Sequence, residues 1–487
     1  LLFMPDAKFD LFAAARQEMI AEGFQPDFPA GVAEQLSALK TGPAPAMDGV
    51  IRDLRSLPWS SIDNDTSRDL DQAEVAERVN GGIRVLVAIA DVDFRVPIGS
   101  PIDAHAAEET TTVYTGIRTF SMLPEELSTD ITSLNEAADR LAIVVEIVVA
   151  HDGTISSVDI YRALVRNQAQ LTYNQVGPWL EGTAATPPKV SASADLEAQL
   201  KLQDEAAQIL LDERHRMGAL NIDRVEAEPV ITDGEVQGVN TRQKNRASEL
   251  IENFMVAANG AMARTLGNAK VCSIRRVVKT PERWPRIVEL AARYGDTLPA
   301  APDSGALNAF LQRRKAADAT HYADISLAVI KLMGPGEYVV TRPGDPDQGH
   351  FALALHDYTH STAPNRRFAD TVTQRLIKSV LSQELPPYLD QQLDAIARNC
   401  TLKEDAARKV ERVMGKRIAA VALQRRIGES FAAVVTGVTP KGVFVRVLNP
   451  PAEGLLVRGQ QGVDVGDKLQ VKLVSTDPRR GYIDFAQ

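Results

Sequence analysis

The chain lacks most of the features that would confine it to a specialised class. Of its 487 residues only two are cysteines, Cys272 and Cys400, far apart and in no CxxC pair. A disulfide scaffold and a thiolate metal centre are excluded, and a reducing, cytoplasmic setting is expected. No stretch approaches the ~18–20 uncharged apolar residues of a membrane span, so no membrane partner is expected. Residues 1–6 are too short for a secretory signal and lack its basic start. The chain begins at Leu1 with Met4 close behind, which is the pattern of a fragment. The seven histidines are scattered. His356 and His360 stand four apart, on one face of a helix if a helix forms there, but no HExxH pattern accompanies them and zinc is disfavoured. Internal repeats and low-complexity tracts are absent. So is any excess of positive charge: the formal net charge is −10. That argues against an unselective grip on nucleic acid over the whole surface.

What is present is a large, ordinary globular composition, long enough for two to four domains. Positive charge gathers locally in Arg366–Arg367 and along Arg408, Lys409, Arg412, Lys416, Arg417, Arg425 and Arg426. A basic channel inside an acidic protein is compatible with RNA. Apolar spacing predicts two helices within residues 7–45, ending in the linker GPAPAM (42–47), either a helix-turn-helix unit or, more simply, a helical lead-in. From Trp59 the pattern turns to strands, one ending at Ile62. Residues 73–79 and 83–89 flank Asn80-Gly81-Gly82 as a hairpin, followed by strands at 141–149 and 155–163. Helical periodicity marks 174–181, 193–218, 245–266, 283–295, 304–316, 366–383 and 388–427. Strand pairs are expected at 228–232 with 235–240 and around 338–355, and a loop at 183–193. Five short strands fill the last sixty residues (431–438, 442–448, 454–457, 468–474 and 482–485), the pattern of an OB-type barrel. The predicted class is α+β, with a helical segment at 1–48, a large mixed catalytic domain at 49–427 and a five-stranded barrel at 428–487.

The chemistry concentrates in IDNDTSRDLDQA (62–73). Asp63, Asp65, Asp69 and Asp71 fall within nine residues. Buried carboxylates this close need compensation, and hard divalent cations provide it through oxygen ligands. Two such ions would activate a water and stabilise the leaving oxygen of a phosphodiester. A calcium loop would place Asp63, Asp65, Ser67 and Glu74 at its first, third, fifth and twelfth positions. Arg68 stands where its turn requires glycine, and the flanks read as strands. The plain alternative is a solvated acidic loop.

This string closely resembles the signature of the ribonuclease II (RNB) family. The resemblance continues through ADVDFRV (90–96), TTVYTGIRTFSMLPEELSTDITSL (111–134), LTYNQVGPWLE (171–181), LIENFMVAAN (250–259), THSTAPNRRFAD (359–370) and the helix holding Glu411. GVFVRV (442–447), EGLL (453–456) and VGDKLQVKLVSTDPRRGYIDF (465–485) resemble the S1-type RNA-binding module that ends such enzymes. The resemblance implies a processive, magnesium-dependent hydrolase, with manganese as an alternative metal and a two-ion site. It would shorten single-stranded RNA from the 3′ end to nucleoside 5′-monophosphates, acting as a monomer.

Carried over residue by residue, the resemblance assigns Asp63, Asp69, Asp71 and Gln72 to metal. Asp71 is the residue whose loss is expected to stop cleavage while sparing binding. Arg366 is set against the scissile phosphate, where its planar donor fork offsets transition-state charge. Asp69 and Glu411 complete the catalytic set. Tyr114 is expected to stack on a base near the 3′ end, and Glu252 to accept a hydrogen bond from a ribose hydroxyl. Ile222, Arg367 and Phe444 are further expected RNA contacts. Two departures stand out. Gln72 replaces a second aspartate, so one metal is expected to bind more weakly or through water. Ile222, in GALNI (218–222), replaces a base-stacking aromatic. Only about fifty residues precede Arg52, too few for the cold-shock barrels of many relatives, and altered handling of structured RNA is expected. A rival reading is an RNA-binding protein of the same fold with weakened catalysis.

Overall fold

The computed structural model describes residues 9–41, 50–222, 226–232, 235–242, 244–318, 322–346 and 348–487. The expected linker at 42–47 and residues 1–6 lie outside them.

A seven-stranded sheet forms the centre of the catalytic domain. Its spatial order is Arg52–Asp53, Ile155–Arg166, Asp139–Ala150, Gly82–Ala90, Gln72–Val79, Ser60–Asp63 and Ala169–Thr172. The interior pairs are antiparallel, and the outermost pair at each edge is parallel. The expected hairpin closes with Val79 paired to Gly82 across Asn80-Gly81. Gly81 takes a φ of +93°. A Cβ on Gly82 would stand 2.0 Å from the carbonyl oxygen of Val149, so glycine there is what lets the strand Asp139–Ala150 approach. The strand Gly82–Ala90 is buried over nearly its whole length, which explains its continuous apolar sequence.

Helices Ala194–Arg216 and Arg246–Asn268 pack against each other and on this sheet. Ser193 caps the first by accepting from the Leu196 N–H at 3.3 Å, and Asn245 and Ser248 cap the second reciprocally. The helix Asp390–Leu423, about 50 Å long at 1.5 Å per residue, is the spine that joins the parts. It touches the helix Leu11–Ala21, the ribbon Glu226–Thr232 with Glu235–Arg242, the strand Glu337–Thr341 and the terminal barrel.

The two N-terminal helices pack mainly on different partners. Leu11–Ala21 buries Leu11, Ala15 and Met19 against Val410, Met414 and Ile418, and its Glu18 pairs with Arg417 at 3.0 Å. Ala30–Thr41 packs on Pro101–Glu109. Part of the basic run is neutralised: Arg417 by Glu18 and Lys409 by Glu22 from the N-terminal segment, and Arg408 by Glu404 and Asp405 of its own helix.

Four expectations need correction. The strand Glu337–Thr341 pairs with Ser273–Val277, sixty residues upstream, rather than within 338–355. Long-range pairing of this kind leaves no turn signal in the sequence. The helix Tyr322–Met333 was not expected: its apolar side chains close a small helical subdomain around Trp284, Ile287 and Phe310. Nor was Pro101–Glu109, whose Glu109 accepts from the distant Gln25 N–H and whose Asp103 pairs with the distant Arg375. The expected loop at 183–193 holds the helical turn Pro188–Ser191.

Strands Ser430–Thr439, Gly442–Leu448, Pro451–Arg458, Tyr482–Ala486 and Lys468–Asp477 close, in that spatial order, into the expected five-stranded barrel. Phe431, Val445, Leu456, Leu473 and Phe485 fill it. A Cβ on Gly454 would meet the Ile483 carbonyl oxygen at 2.4 Å and the Phe485 ring at 2.7 Å, which accounts for the glycine in EGLL. Among the described residues no helix is long and apolar enough to cross a membrane.

Candidate active site

The aspartate-rich segment leaves the sheet after Ser60–Asp63 and returns to it at Gln72. Leu70 is fully buried and anchors the return. Its N–H donates to Ser133 Oγ at 2.9 Å and its carbonyl accepts from the Leu134 N–H at 2.9 Å. The Asp71 carbonyl accepts from the Ala90 N–H at 2.9 Å. Leu70 is thus the fixed point between Asp69 and the buried Asp71. Asp63 Oδ1 accepts from the Asn64 N–H at 2.7 Å and from Ser67 Oγ at 2.9 Å, shaping the turn.

The partner of Asp71 comes from nearly three hundred residues away. Its Oδ1 accepts from the Asn365 N–H at 3.0 Å, and its Oδ2 from Arg366 Nε at 3.3 Å. Asn365 is in turn held by Thr132 Oγ1, which donates to its side-chain oxygen at 2.6 Å. The Thr112 N–H donates to the Arg366 carbonyl at 3.0 Å, and the Phe368 N–H to the Thr110 carbonyl at 2.8 Å. That stitching carries the hairpin of Val113–Tyr114 with Thr119–Phe120 to the same place. Glu411 accepts from the Tyr114 N–H at 3.1 Å, so its bond orients the tyrosine hairpin. A cavity of about 210 Å³ lies between these parts, lined by Tyr114, Tyr338, His360, Arg366, Arg408 and Glu411 among others.

The carboxyl groups are short of positive charge. Burial pushes the Asp71 carboxyl up to about 7; Arg366 opposes the shift and Asp69 adds to it. Burial also raises Asp69, with Arg366 opposing and Asp63 adding. Glu74, fully buried three residues further on, is raised well above the usual range by burial and then by Asp63. Neither of its carboxyl oxygens has a hydrogen-bond partner among the described residues. An acidic, desolvated, under-compensated cluster of this kind fits a divalent cation. Among the described residues no group of three or more His, Cys, Asp or Glu side chains is placed to hold a metal ion by itself.

The remaining expected residues are distributed. Gln72 is buried, and its amide donates to the Ile62 carbonyl at 3.2 Å. Arg367 lines the cavity but gives two donors to Asp370, at 2.8 and 2.7 Å. Glu252 does not line it. Burial opposes its ionisation, but Lys244 at 2.6 Å and Arg214 at 3.4 Å outweigh that and lower its pKa. Ile222 packs on the small helical subdomain. Phe444 stands half-buried on the second barrel strand, opposite Leu455. Sequence reasoning missed Asn365, whose role runs through its backbone and leaves no side-chain signal. It also missed the cavity walls Tyr338 and His360, joined at 2.8 Å between Tyr338 Oη and His360 Nδ1. Glu74 enters the sequence reading only as the twelfth position of the disfavoured calcium loop.

Residues 51–383 match the RNB domain model, and residues 429–487 match the RNase II-type exonuclease C-terminal S1 domain. The chain is 30% identical to a ribonuclease R of Thermotoga maritima, over 89% of this chain and 64% of that protein. It is 29% identical to a ribonuclease R of Escherichia coli, over 94% of this chain and 60% of that protein. The chain thus spans less than two thirds of the length of these relatives. Mycoplasma genitalium RNase R, solved in complex with ribose-methylated single-stranded RNA, superposes with a TM-score of 0.88 at 24% identity, covering 98% of this chain and 78% of that one.

Proposed function

The chain belongs to the RNB family, and from that premise we propose that it is a processive hydrolase that shortens single-stranded RNA from the 3′ end and releases nucleoside 5′-monophosphates. The observation that carries the reading is the Asp71–Arg366 pair, whose arginine lines the cavity. One catalytic carboxylate and one phosphate-seeking guanidinium, distant in sequence, share a hydrogen bond where a chain end can enter.

Magnesium, or manganese in its place, bound in a two-ion arrangement by Asp63, Asp69, Asp71 and Gln72, would polarise the phosphate and lower the pKa of a bound water. The protein's own groups do the rest. Arg366 gives only its Nε–H to Asp71, so its terminal amino groups are available to phosphate oxygens as charge builds. The Asn365 N–H holds Asp71 in place, so no reorganisation is needed at reaction. Tyr114, about half exposed, offers a face to a base of any identity, and Glu411 fixes its backbone. The barrel, with Phe444 on its surface, would guide the strand, and Glu252 would sense ribose. The protein would act as a cytoplasmic monomer.

End-labelled single-stranded RNA with magnesium tests the reading. Stepwise release of mononucleotides is expected. Binding without shortening would sink it in favour of a catalytically weakened RNA-binding protein.

A further inference from the structure

Thr110 ends the helix Pro101–Glu109 in the left-handed region, with φ +57° and ψ −18°. A β-branched residue is strained there, and such strain persists only where the surroundings impose it. Three distant segments do so here. The Asn399 amide donates to the Ala107 carbonyl at 2.8 Å and to the Glu108 carbonyl at 3.2 Å. The buried Glu109 side chain accepts from the Gln25 N–H at 3.1 Å on each of its oxygens. Lys403, also buried, donates to Glu109 at 3.4 Å and to the Gly23 carbonyl at 2.8 Å. Its ammonium lies 4.7 Å from the centre of the Phe24 ring. The turn between the two N-terminal helices is thus clasped to the C-terminal end of Pro101–Glu109. The helix Ala30–Thr41 holds the other end, where Gln35 accepts from the Ile102 N–H at 2.9 Å.

Beyond Thr110 the same backbone runs into the site. The Thr110 carbonyl accepts from the Phe368 N–H at 2.8 Å, and the Thr112 N–H donates to the Arg366 carbonyl at 3.0 Å. Thr111 bridges to Arg367. The backbone of Arg366 therefore rests on residues 110–112, whose direction is set one residue away from Glu109. Among the described residues none from the two N-terminal helices lines the cavity. The first of them also brings Glu18, and its cap Glu22, to basic side chains of the helix Asp390–Leu423, the reverse of a phosphate-binding face.

We propose that the N-terminal segment positions Arg366: Glu109 and Lys403, clasped by the turn 23–25, fix the strip 110–112 that carries the arginine backbone. Glu109 and Lys403 are positioning residues, touching neither RNA nor the reacting atoms. The inference rests on the exoribonuclease reading given above.

The test is cleavage of end-labelled single-stranded RNA by the full chain with magnesium, below the melting temperature of every variant. The proteins are the unsubstituted chain, Glu109→Ala, Phe24→Ala, Arg366→Ala, Glu109→Ala/Arg366→Ala and Leu200→Ala. The last truncates a fully buried side chain of the helix Ala194–Arg216 and controls for lost stability. Glu109→Ala is expected to lower kcat on the order of 10–100-fold with KM unchanged, the cost of misplacing a transition-state contact by about an ångström. Phe24→Ala is expected to act in the same direction and less. With Arg366 already replaced by alanine, Glu109→Ala is expected to add nothing, because the group it positions is gone. Equal losses with and without Arg366 would overturn the proposal, since Glu109 would then act by another route. An unchanged kcat in Glu109→Ala would overturn it, as would a raised KM at unchanged kcat, which would make the N-terminal segment an RNA contact. A kcat loss of the same size in Leu200→Ala would reduce the effect to stability and overturn it too. If Glu109→Ala does not fold, Phe24→Ala with and without Arg366→Ala carries the same comparison. An unsubstituted chain that binds RNA without shortening it removes the exoribonuclease reading itself, a result distinct from these.

Discussion

Two clusters of buried carboxylates lie in one domain and are treated in opposite ways. Asp91, Asp93 and Asp103 meet Arg162, Arg375 and Lys378. Arg375 bonds Asp103 at 2.8 Å, Lys378 bonds Asp93 at 2.9 Å as well as Asp91, and Arg162 reaches Asp91 at 3.4 Å. Burial works against ionisation of Asp93, yet Lys378 and Arg375 outweigh it and its pKa is lowered. Around the raised Asp69 and Asp71 the opposing cation is Arg366, and burial pushes Asp71 up to about 7. The first cluster is a lock, with its charges neutralised within the protein. The second is left short of positive charge, which is the condition under which a group from outside binds. Acidic residues alone therefore do not mark a site; the balance of their partners does.

The largest expected effect breaks the lock. Arg375→Met removes a guanidinium that is 2% exposed and should destabilise the fold by roughly 3–5 kcal/mol, read in urea unfolding. A change under about 1 kcal/mol would mean that the network is not load-sharing as described. Next comes the open cluster. Asp71→Asn should lower the cleavage rate on the order of 10²–10³-fold or more while RNA affinity is unchanged. Cleavage at the original rate would remove Asp71 from the chemistry.

The two clusters should also respond oppositely to pH. Asp71 binds its proton more tightly folded than unfolded, so between about 7 and the ordinary 3.8 the metal-free protein gains stability from it as pH falls. Raising the pH through about 7 removes that contribution and frees the carboxylate for metal. Magnesium should therefore raise the melting temperature more at about pH 8 than at about pH 5.5. Asp93 is lowered, so its contribution is present above the ordinary carboxylate value and is lost only as pH falls through its folded value. An equal magnesium effect at both pH values would contradict the assignment of Asp71 to metal.

A smaller effect is expected at the cavity wall. Tyr114→Ala should weaken single-stranded RNA binding by about 1–3 kcal/mol irrespective of base, measured by fluorescence anisotropy. The smallest lies beside the open cluster but outside it. Arg68 and Glu125 form an ion pair at 2.9 Å with both side chains about two thirds exposed. Arg68→Ala should change stability by less than about 1 kcal/mol, in contrast with Arg375→Met.

Much of this was legible in the chain. The hairpin at Asn80-Gly81 and the five barrel strands declared themselves because turn chemistry and alternation are local. So were Asp63, Asp69 and Asp71, as a cluster too acidic to be left uncompensated. The pairing of Glu337–Thr341 with Ser273–Val277 was not legible, because a long-range register leaves no mark at either end. Arg367 reads from the chain as one half of a basic pair with Arg366. Only the fold decides that Arg367 is spent on Asp370 while Arg366 meets Asp71. Glu252, read as a ribose contact, stands between Lys244 and Arg214 and away from the cavity lining, a placement that depends on how two helices meet.

By itself the sequence determined the class of fold, the order of its domains and the residue types available for phosphate and metal chemistry. These follow from periodicity, turn residues and unusual clustering, which act over a few residues. The tertiary structure decided which carboxylates are paired and which are not. Asp91 and Asp71 are both aspartates at the margins of buried strands, and nothing local distinguishes them. Lys378 reaches Asp91 from a helix nearly three hundred residues away, whereas Asn365 and Arg366 reach Asp71 and leave it under-compensated. The difference is a matter of long-range electrostatics in a buried, low-dielectric setting, where the fold and not the neighbouring sequence sets the distance between charges.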